Sequence, residues 1–238
     1  MSDVKFRSDV TVELREAMGD EALIVDAARV STDKRASEFS EDANNGLIRA
    51  LVREGHGTPF EYPELVWYLE VPIFVSRQIV KHRLSTINEH SGRYSEMAPE
   101  FYLPTQGRPV IQVGKTMNYE FEDSGTEESQ GLRADVQIIT QDANLRWWRE
   151  YQEMRALGIA KEVARIGAPT NLYSRMFVKM NLRSTLHFIA QRTEFPDADR
   201  VSHPQYEIQL VAKAMAAVVS ERFPVVWDAF VASKYKKL

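Results

Sequence analysis

Cysteine is missing from all 238 residues. Disulfides, thiolate metal sites and attack by a cysteine thiolate of this chain are therefore excluded. Nowhere do eighteen apolar residues run together, and the opening Met-Ser-Asp-Val-Lys-Phe carries no apolar signal-type stretch, so no membrane span and a cytoplasmic location are expected. A basic excess is lacking too: the formal net charge is -4 and the pI about 5.8, which disfavours nucleic acid as a partner. Gly-x-Gly-x-x-Gly and phosphate-loop glycine patterns are absent, so any bound dinucleotide is held by other means. No repeat or linker divides the chain, and residues 1–238 read as one domain with a sizeable core.

The elements that remain are mixed. Val10 to Leu14 alternates as a strand, and Asp20 opens a short helix with Ala22, Leu23, Ala27 and Val30 inward, ended by Ser31-Thr32-Asp33. A helix from Glu41 to Glu54 buries Leu47, Ile48, Leu51 and Val52 and stops at Gly55. Leu65 to Val71 is β-branched and aromatic, as a central strand is, and Pro72 suits the first position of a helix carrying Ile73, Phe74 and Val80 inward. Short strands are expected at Phe101–Leu103 and Val110–Val113, with a surface excursion from Lys115 to Gln130. Leu132, Val136, Ile139, Ala143, Trp147, Tyr151 and Met154 mark a long helix over 129–157. After a helical turn at Lys161–Ile166, Leu172 to Met180 reads as a strand closed by Asn181-Leu182-Arg183, and Ser184 to Arg192 as a helix. Ser202 to Gln205 begins a last helix by capping-box logic, with Ile208, Val211, Met215, Val218 and Val219 inward. Strands and helices do not alternate regularly. The expected class is α+β, a single mixed domain with a small sheet packed by long helices.

The stretch Lys81 to Tyr94, Lys-His-Arg-Leu-Ser-Thr-Ile-Asn-Glu-His-Ser-Gly-Arg-Tyr, concentrates cationic and polar donors in a segment too polar for a core. It reads either as an anion-binding loop or as cations complementing the carboxyl end of the preceding helix. Arg77 and Lys81, and Gln78 and His82, are four apart, so adjoining faces aim polar groups at one helix end. His56, between two glycines, is a turn residue or a site residue.

Lys-His-Arg, seven residues, Ser-x-Arg resembles the Arg-His-Arg, seven residues, Ser-x-Arg signature of the flavin-dependent thymidylate synthases, with Lys81 where arginine is usual. Further islands agree in order: Ala27-Ala28-Arg29-Val30-Ser31, Gly55 to Glu61, Arg77-Gln78, Glu162-Val163-Ala164-Arg165 and Asn181-x-Arg183. The resemblance implies methylation of dUMP at C5, with methylenetetrahydrofolate as carbon donor and NADPH-reduced FAD as hydride donor. It implies dUMP contacts from Gln78, Lys81, Glu89, His90, Ser91, Gly92, Arg93, Arg165 and Arg192, with Ser91 to Arg93 around the phosphate. FAD contacts fall to Ser31, His56, Thr58, Glu61, Lys81, His82, Arg83, Glu89, Asn181, Arg183 and His187, the last a position often held by Asn. Arg192, eleven positions after Asn181, takes the catalytic role of stabilising negative charge on the pyrimidine edge, with Arg200 in the longer following link as its competitor. A homotetramer with shared active sites is also implied.

Other readings keep the same residues. A flavin reductase without methyl transfer would use the FAD site alone; an RNA-binding module would grip phosphates with Lys81 to Arg93 and stack bases on Tyr94, Phe101 or Tyr102. His203 and Glu207 have helical ligand spacing but no further ligand beside them, so no metal is expected. Trp147, Trp148, Met154, Met176 and Met180 are read as packing residues.

Overall fold

The computed structural model describes residues 4–105, 107–115, 118–121, 125–236 and 238. In chain order the strands and helices are β1 (Lys5–Arg7), β2 (Thr11–Met18), α1 (Glu21–Arg29), α2 (Glu41–Glu54), β3 (Glu64–Pro72), α3 (Ile73–Ile79), β4 (Thr86–Glu89), β5 (Glu100–Tyr102), β6 (Gln112–Lys115), β7 (Asn118–Phe121), α4 (Glu127–Ala156), α5 (Lys161–Ala164), β8 (Tyr173–Asn181), α6 (Leu182–Arg192), α7 (Tyr206–Arg222) and α8 (Pro224–Ala232). The class is α+β, as the irregular order of strands and helices suggests. These residues group into two compact units: the chain up to Asp9 with Val71–Ser76 and His90–Ser174, and Val10–Glu70 with Arg77–Glu89 and the chain from Arg175 onward.

The first unit is built on an aromatic cluster. β1 and β5 pair in parallel, Phe6 opposite Phe101. Phe101, Trp147, Trp148, Tyr151, Met97, Ala164 and Leu172 are buried together, with Phe6 and Met154 packed against them. Tyr151 stacks on both tryptophans, with ring centroids 5.4 and 5.3 Å away. Each fully buried large side chain of this kind contributes about 1.5–3 kcal/mol. The amino-terminal half of α4 departs from the apolar stripe expected of it. Leu132, Val136 and Ile139 are 42%, 37% and 68% exposed, whereas Arg133 is buried. Arg133 Nε donates to the Arg108 carbonyl at 3.3 Å and Gln137 Nε2 to the Pro104 carbonyl at 2.8 Å, so this stretch of the helix faces half-buried carbonyls with its polar side chains rather than covering its apolar stripe. The expected excursion from Lys115 is partly regular. β6 and β7 pair antiparallel and α4 starts at Glu127, while residues 116, 117 and 122–124 lie outside the described residues.

The second unit holds most of the four-stranded sheet, in the order β2-β3-β8-β4. Alternation puts Leu65, Trp67 and Leu69 of β3 and Met176, Val178 and Met180 of β8 on the buried face. The other face carries the Tyr68–Phe177 ring pair and the Arg175–Glu70 and Lys179–Glu64 ion pairs. α2 matches its expected bounds, and Gly55 ends it in the left-handed region at φ 75°. α8 was not anticipated. Its amino end has no side-chain cap of its own, and Glu21 Oε1 accepts from the Val226 N–H at 3.0 Å instead.

Several local expectations are corrected. β2 runs on to Met18, and α1 buries Ile24 and Val25 while Val30 is exposed. Pro72 ends β3 rather than opening a helix, and α3 buries Val75, Ser76 and Ile79 instead of Ile73, Phe74 and Val80. α3 also stops at Ile79, so Lys81 and His82 sit in the turn beyond it; the Lys81 N–H donates to Gln78 at 3.3 Å and the His82 N–H to Ile79 at 3.0 Å. Residues 86–89 are not loop but an edge strand paired with β8. At α7 no capping box forms: the helix starts at Tyr206 with Gln205 at its cap, three residues after Ser202, whose hydroxyl donates to the Ala190 carbonyl at 3.3 Å.

Candidate active site

In the second unit the candidate residues gather around α6. Asn181 takes an extended conformation, and its Oδ1 accepts from the Ser184 N–H at 2.8 Å, which starts the helix two residues earlier than the sequence suggests. α6 buries Leu182, Thr185, Leu186, Phe188 and Ile189. That leaves Arg183 and His187, four apart, half-buried on one side, and Arg192 half-buried in the last turn. Arg192 Nε donates to His82 Nε2 at 3.1 Å. Phe188 meets the His82 ring edge-on at 4.8 Å, and the His187 ring lies 6.5 Å away. The Ser85 hydroxyl donates to the His82 carbonyl and closes the turn.

Burial first, then the Arg192 charge and then His187, hold the His82 imidazole down at about 4. His82 is therefore neutral at pH 7, its Nε2 is the acceptor, and the proton sits on Nδ1. Burial lowers the Arg192 guanidinium as well. A guanidinium remains charged at neutral pH, so the pair is a cation held by a neutral acceptor.

Arg183 is committed differently. Its Nη1 pairs with Glu61, its Nε donates to the Leu238 carbonyl at 2.9 Å, and it crosses the turn at Gly57, where an added Cβ would stand 2.5 Å from Nε. His56 and Thr58, on either side of that glycine, are exposed. Ser31 is exposed too, with its hydroxyl on the Ala28 carbonyl. Lys81 and Arg83 are exposed and form no ion pair among the described residues. Gln78 amide donates to Gln205, and Glu89 ends β4 opposite Met176.

The first unit holds the rest. Ser91 Oγ accepts from the Arg93 N–H at 3.3 Å and its carbonyl from Tyr94 and Ser95, forming a tight turn at which Gly92 is buried. Arg165 packs on this glycine: an added Cβ would lie 3.0 Å from Arg165 Cδ and would overlap Met97 Sδ. Arg93 pairs with Glu162 at 2.7 Å, and Lys161 Nζ donates to the Tyr94 carbonyl at 3.0 Å. An exposed pair of this sort is worth about 0–1 kcal/mol, little enough for an anion to displace. His90 is half-buried beside this turn in sequence. An open cavity of about 610 Å³ in the second unit touches the candidate set only at Glu61.

Residues 13–225 match the family described as Thymidylate synthase complementing protein. The chain belongs to this family, the flavin-dependent thymidylate synthases. It is 39% identical over 230 residues to the flavin-dependent thymidylate synthase of Streptomyces avermitilis, covering 94% of this chain and 92% of that one. Identity to the enzyme of Tropheryma whipplei is 37% over 231 residues, with 96% and 95% covered. Among solved structures, the UMP/dUMP methylase PolB from Streptomyces cacaoi bound with 5-Br dUMP superposes with TM-score 0.90 at 36% identity, covering 99% of this chain and 100% of that chain. The 5-Br UMP complex of the same protein gives TM-score 0.89 at 35% identity, with 99% of each chain covered.

Within this flavin-dependent thymidylate synthase fold, every FAD candidate lies in the second unit, and His90, Ser91, Gly92, Arg93 and Arg165 lie in the first. Arg200 is exposed on the link after α6, away from the half-buried setting of Arg192. Three partners went unread in the sequence: Phe188 against His82, Gln205 on Gln78, and Glu162 on Arg93. For Glu162 a signal existed, since it stands three residues before Arg165 in a shared island. Phe188 and Gln205 lie more than a hundred positions from their partners, and no local pattern marks such pairs.

Proposed function

We propose that this chain is a flavin-dependent thymidylate synthase that reductively methylates dUMP to dTMP, residues 1–238 acting as one functional domain. Methylenetetrahydrofolate would give the carbon, and NADPH the reducing equivalents. FAD is the implied cofactor, and the donor set suits it. Lys81 and Arg83 are cations without a carboxylate partner among the described residues, fit for a pyrophosphate, and the Arg183 guanidinium passes over a glycine where a side chain would block it. His82, Arg83, Asn181, Arg183 and His187 would hold it, with Ser31, His56, Thr58, Glu61, Lys81 and Glu89 alongside. When bound, FAD supplies a two-electron carrier between NADPH and the nucleotide.

The observation that carries the reading is the hydrogen bond from Arg192 Nε to a neutral His82. It uses one edge of the guanidinium and fixes its plane, leaving the remaining N–H groups for the pyrimidine. Donors held at the N3–O4 edge stabilise negative charge there and make C5 a better nucleophile, which replaces the thiolate attack that a chain with no cysteine cannot make. Gln78, Lys81, Glu89 and His90 would contact the nucleotide, and Ser91, Gly92, Arg93 and Arg165 its phosphate. The phosphate dianion would take Arg93 from Glu162.

We take the working form to be a homotetramer with active sites assembled from more than one subunit, acting in the cytoplasm; no helix among the described residues is long and apolar enough to cross a membrane. Incubation with dUMP, methylenetetrahydrofolate, NADPH and FAD should yield dTMP. NADPH oxidation that dUMP does not stimulate would instead indicate a generic flavin reductase. The likeness to a UMP/dUMP methylase gives a second reading, in which UMP is also methylated; parallel assays with the two nucleotides decide it.

A further inference from the structure

The link that leaves α6 is held by the end of the chain through one aromatic stack. Phe195 and Tyr235 lie face to face, with centroids 3.7 Å apart and planes 6° apart. Phe230 meets the Tyr235 ring edge-on at 5.4 Å. Tyr235 reaches this place through two consecutive left-handed residues, Lys234 at φ 54° and Tyr235 at φ 57°. Bulky side chains enter that region only where their surroundings hold them. The Lys234 N–H donates to Val231 at 2.8 Å and the Tyr235 N–H to Phe230 at 2.9 Å, so α8 presents the ring on a closed turn.

Phe195 is three residues beyond Arg192. α6 lacks a glycine closure of its own: its cap, Thr193, is extended at φ -123° and buried. Within the link the Ala198 N–H donates to the Phe195 carbonyl at 3.1 Å, while its ties to the neighbouring helices are longer: Glu194 N–H to Gln209 at 3.4 Å, Ser202 hydroxyl to Ala190 at 3.3 Å, and Asp199 N–H to Lys234 at 3.4 Å. The ring stack is the one aromatic restraint among these ties, and it holds the link three residues beyond Arg192.

We propose that Tyr235 is a positioning residue, whose stack on Phe195 fixes the link leaving α6 and so the placement of the Arg192 guanidinium against His82. The proposal rests on the catalytic assignment of Arg192 made above. Neither ring hydroxyl nor charge is needed for it, only a flat ring.

The test uses the full-length, flavin-loaded protein with Tyr235→Phe, Tyr235→Ala, Phe195→Leu and the Ala/Leu double variant. Tyr235→Phe should keep wild-type turnover. Tyr235→Ala and Phe195→Leu should each lower kcat by roughly 10- to 100-fold with KM for dUMP little changed. The double variant should be no worse than either single one. His82 gives a readout independent of turnover: followed by NMR, its titration should rise above about 4 in both single variants as Arg192 moves off, by the part that the Arg192 charge adds to burial, the larger cause. Unchanged turnover and unchanged His82 titration in both would overturn the proposal, as would additive losses in the double variant or a loss in Tyr235→Phe. If Tyr235→Ala does not fold, Phe195→Leu decides by the same readouts. Activity retained by Arg192→Ala together with a shifted His82 titration in Tyr235→Ala would overturn the assignment of Arg192 and leave the stack's positioning role standing.

Discussion

Arg192 and His82, 110 positions apart, share a hydrogen bond of 3.1 Å in which a half-buried guanidinium donates to an uncharged imidazole. An acid in place of the histidine would neutralise the cation. A neutral acceptor orients it and leaves its charge available.

Arg192→Lys tests that orientation. Lysine keeps the charge but has neither the planar fork nor an Nε–H to give His82. Turnover should fall by roughly 10²-fold or more while the purified protein still binds FAD, which absorbance of the bound flavin checks. Wild-type turnover would move the role elsewhere, first to the exposed Arg200.

His82 also makes stability depend on pH. Its folded value, about 4, lies below the ordinary 6.5, so between these limits the unfolded chain binds the extra proton. The contribution of neutral His82 is complete above about pH 6.5 and shrinks as pH falls towards 4. Urea unfolding at pH 7 and pH 5 should show the wild type losing more stability than His82→Gln, whose amide can accept from Arg192 without titrating. Equal losses would mean that the imidazole is not kept neutral by its surroundings.

Gly92→Ala places a Cβ 3.0 Å from Arg165 Cδ and into Met97 Sδ. Met97 is buried under Tyr151, whose hydroxyl accepts from its N–H, so it yields less readily than the Arg165 side chain. The expected outcome is a KM for dUMP raised by roughly tenfold, in line with loss of a charged hydrogen bond, with kcat less affected. Steady-state kinetics check the split, and a change confined to kcat would place Arg165 away from the phosphate.

How far these features were legible varies with their physics. α2 was read to its last residue because an apolar stripe and Gly55 agree locally. α4 was found but its burial misread, because the Pro104 and Arg108 carbonyls that hold Gln137 and Arg133 are set by tertiary contact and not by periodicity. The order of motif islands pointed to the right family, while the partners of those motifs, Phe188, Gln205 and Glu162, depend on where the fold brings distant segments. α8 was missed although Pro224 at its first position is a local start signal; its bond from Glu21, some two hundred residues earlier, could not be read locally.

Asn181 carries two assignments that a single pair of variants can separate. Its Oδ1 caps α6, and the cofactor reading also gives it a contact to FAD. Removing the cap with Asn181→Ala should cost about 1 kcal/mol, a fall in Tm of about 2–4 °C for a chain of this size, and should shift the whole helix that bears Arg183, His187 and Arg192. Asp caps as well as Asn does, so Asn181→Asp should keep Tm near wild type. It also puts a new negative charge beside the proposed dinucleotide site, where like charge disfavours a pyrophosphate. Loss of flavin in Asn181→Asp at unchanged Tm, measured by absorbance after desalting and by thermal unfolding, supports contact with FAD. Full flavin content in Asn181→Asp, with loss only in the destabilised Asn181→Ala, reduces Asn181 to a helix cap.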